Sequence, residues 1–230
     1  GNNNYLVNWE NDGKDIKEWL VNNPKDPDTT HWSRRIINTE YYFKEGITWS
    51  DISTGNFASR KSLPGFLFDV KGSSVFPNSE KINYIIGFLN SKFTTFCLKL
   101  LNPTMTYQVG NIASLPIIFP SSESVKTLID TLVQENIQIS RRDWDSFETS
   151  WDFQLHPFIQ HRTDGRIQNT FNSWRSYTES QFNQLKSNEE ELNRLFIEIY
   201  DLSDELTPEV EDKDITIRKA DLERDIKSFL

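Results

Sequence analysis

The sequence predicts an α+β fold: a small twisted mixed sheet with packed helices, followed by a helical extension that contains a long amphipathic helix. Three observations predict it. From Thr39 the hydrophobic pattern has a period of two, in pieces of four to eight residues, as short strands do. From Ile82 the spacing changes to three and four, which places apolar side chains on one helical face. Between Thr170 and Asp201 that spacing continues for about nine turns, longer than a single-domain helix usually runs.

Residues 1–38 read as a polar lead-in, in which NDGKD and NNPKDPDTT are turn signals around a short helix at Ile16 to Val21. Residues 39–140 read as a mixed α/β unit. Its strands are expected at YYFKE, GITWSDI, FASRK and GFLFDVKG, all rich in aromatic and β-branched residues and separated by Gly, Asn, Ser or Pro. One helix then runs from a cap at Asn78 or Ser79 through Ile82, Ile86, Leu89, Phe93 and Leu100. It ends at Asn102-Pro103, because proline excludes the preceding residue from helical geometry. Thr106 to Phe119 looks strand-like, and Pro120-Ser121-Ser122 opens a second helix carrying Val125, Leu128, Ile129, Leu132, Val133 and Ile137. Residues 141–230 read as a helical connector. Trp144, Phe147, Trp151 and Phe153 are expected to pack together at its joint, and the long helix keeps its spacing at Phe182, Leu185, Leu192, Phe196 and Ile199, skipping only Glu189.

Composition narrows the function. No run of about 18 apolar residues occurs and the N-terminus lacks a signal-peptide pattern, so no membrane partner is expected. The single Cys97 excludes an internal disulfide and thiolate zinc clusters, which points to a cytoplasmic protein, and its apolar setting suits a buried spacer rather than a reactive thiol. Net charge is −9, but residues 31–120 hold 9 Lys and Arg against 5 Asp and Glu. The acidity lies in the C-terminal half, so a polyanion would meet the first half.

That basic half carries side chains suited to DNA. Arg60, Lys61 and Lys71, expected on turns, can neutralise phosphate or fork onto guanine, although lysines and arginines at a surface are commonly just solvated. Ser50, Ser53, Thr54 and Asn56 form a polar turn beside Trp49, which alternation assigns to the core. Gly72-Ser73-Ser74 is a turn able to present donors to phosphate, or a plain hairpin. Thr104, Thr106, Tyr107, Gln108 and Asn111 are the densest uncharged hydrogen-bonding group. No catalytic or metal set emerges. Pro27-Asp28 with Asp69-Val70-Lys71 imitates a nuclease pattern only if a loop is forced to be a strand, and His31, His156 and His161 are not spaced as ligands.

The phrases GITWSDIS, FASRK, PGFLFDVKGSSVFP, LNSKF, LLNPTMTYQVGNIASLPI, DWDSFETSWDF and NEEELNRLFIEIYDLSDELTP together resemble one family. They are similar to the region C-terminal to the catalytic domain in the PglX proteins of BREX phage-defence systems and related type IIG restriction-modification enzymes. The resemblance runs from about Tyr41 to the last residue. It implies a target recognition domain plus helical connector, cut from a site-specific adenine-N6 DNA methyltransferase that continues past DIKSFL. The Asn102 phrase is widely shared in that family, which implies a structural or phosphate-positioning role there rather than choice of sequence. The family's glycine-rich loop for S-adenosylmethionine and its Asn-Pro-Pro-aromatic motif have no counterpart; Asn102-Pro103-Thr104-Met105 matches only the first two letters. No cofactor is therefore expected in this chain, with S-adenosylmethionine expected for the parent. The implied partners are double-stranded DNA, the catalytic methyltransferase domain of the same parent chain, and other subunits of the defence system. The alternative reading is a protein-docking module of the same defence complex.

Overall fold

The computed structural model describes residues 5–69 and 71–219; the ending DIKSFL lies outside them. The lead-in forms α1 (Glu10–Val21), in which Asn11, Asp12 and Gly13 hold left-handed backbone angles and only the part after them is regular helix. Glycine is needed at 13: φ is +69°, and an added Cβ would lie 3.0 Å from the Trp9 ring.

The α+β class holds. Three strands, β1 (Gly46–Trp49), β2 (Ser59–Ser62) and β3 (Ser74–Val75), form a sheet in the order β2-β1-β3. A mixed sheet was expected, whereas both pairings are antiparallel. Period two then sorts the faces. Ile47 and Trp49 point into the core together with Lys61 and Val75, while Thr48, Arg60, Ser62 and Ser74 line the other face.

Two expected strands are not formed among the described residues. In YYFKE the chain turns through a 3-10 segment at Thr39–Tyr41, and Phe43 takes a positive φ of 63°, which ends any ladder. Among the described residues its pairing with GFLFDVKG is confined to Phe43 N–H donating to Phe66 O and Gly65 N–H donating to Phe43 O. The alternating aromatics build a ring cluster instead, with Tyr42 against Phe68 and Phe68 and Tyr41 against Phe76.

The single helix expected over Ile82 to Leu100 is two, α2 (Ile82–Leu89) and α3 (Lys92–Leu101). Ser91 makes the break: its Oγ accepts from Thr94 N–H at 3.3 Å and donates to Phe88 O at 2.7 Å. Asn90 beside it accepts from Ser59 N–H and donates to Ser59 O, completing the start of β2 with its amide. Asn102 is extended before Pro103, as the sequence requires. Beyond it Thr106 makes only an isolated bridge to Ile52, and the expected strand gives way to α4 (Val109–Ala113).

Helix α5 spans Glu123–Asp145, passing through the expected boundary at 140; α6 (Pro157–Gln160) and α7 (Ile167–Ile199) follow. One core joins sheet and helices: Trp49, Tyr84, Phe88, Ile129, Val133 and Phe196 are all within it. Gly87 lets α2 and α5 approach closely, since a Cβ there would meet Val133 Cγ2 at 2.9 Å. Asn193 is buried, accepts from Lys92 N–H and donates to Pro208 O, so α7 caps α3 and holds the chain that follows. Tyr200 stacks on Phe93 at 3.6 Å and accepts from Ile118 N–H, strapping down the segment before α5. A second core gathers Ile139, Phe182, Leu185, Ile215 and Ile217.

The aromatic joint does not form. Trp144, Phe147 and Trp151 are exposed, and no ring contact links them to one another or to Phe153 among the described residues. Helix α5 continues to Asp145 and carries Trp144 past the last buried turn, after which Asp145 and Ser150 pair to turn the chain. No helix among the described residues is long and apolar enough to cross a membrane.

Candidate nucleic-acid interface

The antiparallel register collects many of the candidate residues at one end of the sheet, where β1 stops and β2 starts. Trp49 pairs with Ser59 at that edge, and Thr48 with Arg60 one step in. The connection between the strands carries Ser50, Ser53, Thr54 and Asn56. The 104–108 segment is bound to this connection by two backbone hydrogen bonds, Ser53 N–H donating to Met105 O at 3.0 Å and Tyr107 N–H donating to Asp51 O at 2.7 Å, which together make the bridge between Ile52 and Thr106. Trp49 anchors both, since its indole N–H donates to Tyr107 O at 2.8 Å. Tyr107 packs edge-on against Phe57 at 5.1 Å and donates its hydroxyl to Gly55 O. Burial pushes the Tyr107 phenol above its ordinary pKa, which keeps that donor protonated.

Charge at this end is partly neutralised. Lys71 pairs with Asp51 at 3.1 Å, although the lysine side chain is largely in water. Asp69 receives Lys71 N–H and Gly72 N–H, a turn-forming role rather than a metal-binding one. Lys61 and Arg60 were expected together on a turn. They are consecutive in β2 and so face opposite ways, Lys61 pairing with Glu45 at 2.9 Å on the core side. Arg60 is exposed and has no ion-pair partner among the described residues.

Several polar candidates are engaged inside the protein. Ser73 is buried, and its carbonyl accepts from Trp49 N–H and Thr48 Oγ1. Ser74 Oγ donates to Gly72 O. Asn102 donates to Asn111 Oδ1 and Thr106 O, and Thr104 Oγ1 donates to Asn102 Oδ1, so this cluster holds its own loop. Ser50, Thr54, Asn56 and Gln108 are exposed with side chains turned to no protein partner among the described residues. The sequence reading passed over Thr48 and Ser62, which share the outward face with Arg60; strict alternation within GITW and SRKS contained that signal. His31 and His156 accept from Ser33 N–H and Phe158 N–H as helix caps, and burial raises the Cys97 thiol, in keeping with a packed spacer.

No protein-family profile matches the chain. The chain is similar to one segment of adenine-specific methyltransferases. The adenine-specific methyltransferase PglX of Lacticaseibacillus casei (strain Zhang) is 41% identical over 235 residues, a match that takes in 100% of this chain and 19% of the relative. The adenine-specific methyltransferase BrxX of Escherichia coli O9:H4 (strain HS) is 30% identical over 210 residues, 90% of this chain and 16% of the relative. The chain thus spans less than a fifth of the length of these curated relatives.

Proposed function

We propose that this chain is the DNA target-recognition segment of a larger N6-adenine DNA methyltransferase of a restriction-modification or phage-defence system. The observation that carries the reading is similarity along the whole chain to a limited segment of two adenine-specific methyltransferases. Methyl transfer and S-adenosylmethionine binding then belong to the remaining four-fifths of the polypeptide. What falls to this segment is choosing where the adenine lies.

The sheet end supports that role by its chemistry. Arg60 stands on a face of small hydroxyl residues that let a duplex approach closely, and Lys71, next to Asp51 just past the end of β1, keeps an exposed ammonium. Ser50, Thr54, Asn56 and Gln108 supply neutral donors and acceptors at the tip; Asn and Gln fork onto adenine and Arg onto guanine. Ser53, Thr104, Tyr107 and Asn111 brace the two loops. Docking on phosphates comes first, groove reading second, and the catalytic domain then extrudes the adenine.

The test is affinity of the full-length polypeptide for duplex DNA as NaCl is raised. A log-log fall with a slope of several counterions is expected. Undetectable binding, or binding indifferent to salt, would refute the reading. The alternative, a protein-docking module, draws on a different surface, the exposed aromatics beyond Ile139.

A further inference from the structure

Helix α7 has 33 residues, about 50 Å at 1.5 Å per residue, yet only its second half enters the two cores. Over 167–181 the one buried residue is Thr170, and α6 packs there through contacts of Phe158 with Phe171 and Trp174. Helix α5 ends beside it, held by Arg142 donating to Gln181 at 2.9 Å. This far end of the α5–α7 pair exposes large apolar side chains: Trp151 is 69% accessible, Ile159 59% and Ile167 76%, with Trp144 and Phe147 nearby in sequence. A patch of that kind on an isolated surface attracts other surfaces.

Its composition names the kind of partner. Residues 141–177 contain five arginines, eight aromatic residues and no lysine. Arginine and aromatics are enriched, and lysine depleted, where proteins meet proteins. The guanidiniums of Arg162 and Arg166 have no ion-pair partner among the described residues, so the complementary face carries carboxylates around an apolar centre. The relatives place more than four-fifths of their length outside the matched segment.

We infer that the end of the molecule formed by the last turn of α5, α6 and the first half of α7 is the docking face for the remainder of the same polypeptide, on an apolar surface of it rimmed by carboxylates. Nucleic acid is the poorer fit, since phosphates gain nothing from two exposed indoles and two isoleucines. The inference rests on the homology and is independent of DNA recognition by the sheet end.

Hydroxyl-radical footprinting of the full-length polypeptide, without DNA, decides it. Trp151, Trp144 and Ile167 should oxidise several-fold more slowly in the native protein than in the urea-unfolded one, and the double variant Arg162→Glu, Arg166→Glu should restore much of the lost reactivity while Trp49 stays protected. Native oxidation at the unfolded rate would overturn the inference. So would protection that appears only with added duplex, which assigns the face to nucleic acid, or protection lost on dilution, which assigns it to a second copy.

Discussion

The indole N–H of Trp49 donates to the carbonyl of Tyr107, 58 residues away, at 2.8 Å. This bond ties the last residue of β1 to the loop after α3 and holds the two polar segments of the sheet end side by side. Trp49→Phe keeps an apolar ring but removes the donor, leaving the Tyr107 carbonyl unpaired beside Phe57. A loss of about 1–3 kcal/mol in urea unfolding is expected, with faster amide exchange over 104–108. Unchanged stability and exchange would show that the loops hold together without it.

Gly87 is the contact point of α2 and α5. Gly87→Ala brings a methyl to 2.9 Å from Val133 Cγ2, so the helices must separate. The variant should lose about 1–3 kcal/mol by overpacking, and Val133→Ala in the same molecule should recover part of it. Thermal unfolding of the single and double variants measures both.

Glu189 interrupts the apolar stripe of α7 where Thr216 N–H donates to it at 3.2 Å between Ile215 and Ile217. Burial raises its carboxyl above the ordinary value of 4.5. The folded protein therefore keeps a proton in a window where the unfolded chain has lost it, so the contribution is full below pH 4.5 and is lost as pH rises through the folded value. Glu189→Gln does not titrate. It should be more stable than the parent at about pH 7 and gain progressively less advantage toward about pH 4. A variant less stable at neutral pH would show that the bond from Thr216 outweighs burial of the charge.

Arg60 and Lys61 are adjacent, yet the sheet gives them opposite tasks. In the full-length polypeptide Arg60→Ala should lower the salt slope of duplex binding by about 1 and change stability by less than about 0.5 kcal/mol. Lys61→Ala removes the pair with Glu45; it should leave the slope alone and cost up to about 1 kcal/mol. Equal effects on binding would mean that the sheet face does not meet DNA.

What the sequence showed depended on which interactions shape each element. Helices α5 and α7 were legible because their burial follows a single period, and Asn102-Pro103 announced a stop through local sterics. The break at Ser91 was hidden, since Leu89 and Phe93 are four apart and the spacing continues across it. YYFKE and GFLFDVKG alternate like strands, but their rings pack on each other and Phe43 turns the backbone, which a period-two count does not register. At the candidate site the residue types were visible and their partners were not. Only the fold shows that Lys61 and Lys71 are paired, that Ser73 is buried, and that Asn102, Thr104 and Asn111 bond among themselves.

Methylome sequencing of cells carrying the full-length protein with residues 39–140 exchanged for those of a relative of different specificity is the most direct measurement. Transfer of the relative's methylated motif along with the exchanged segment is the predicted result. An active chimera that still methylates the original motif would contradict the account.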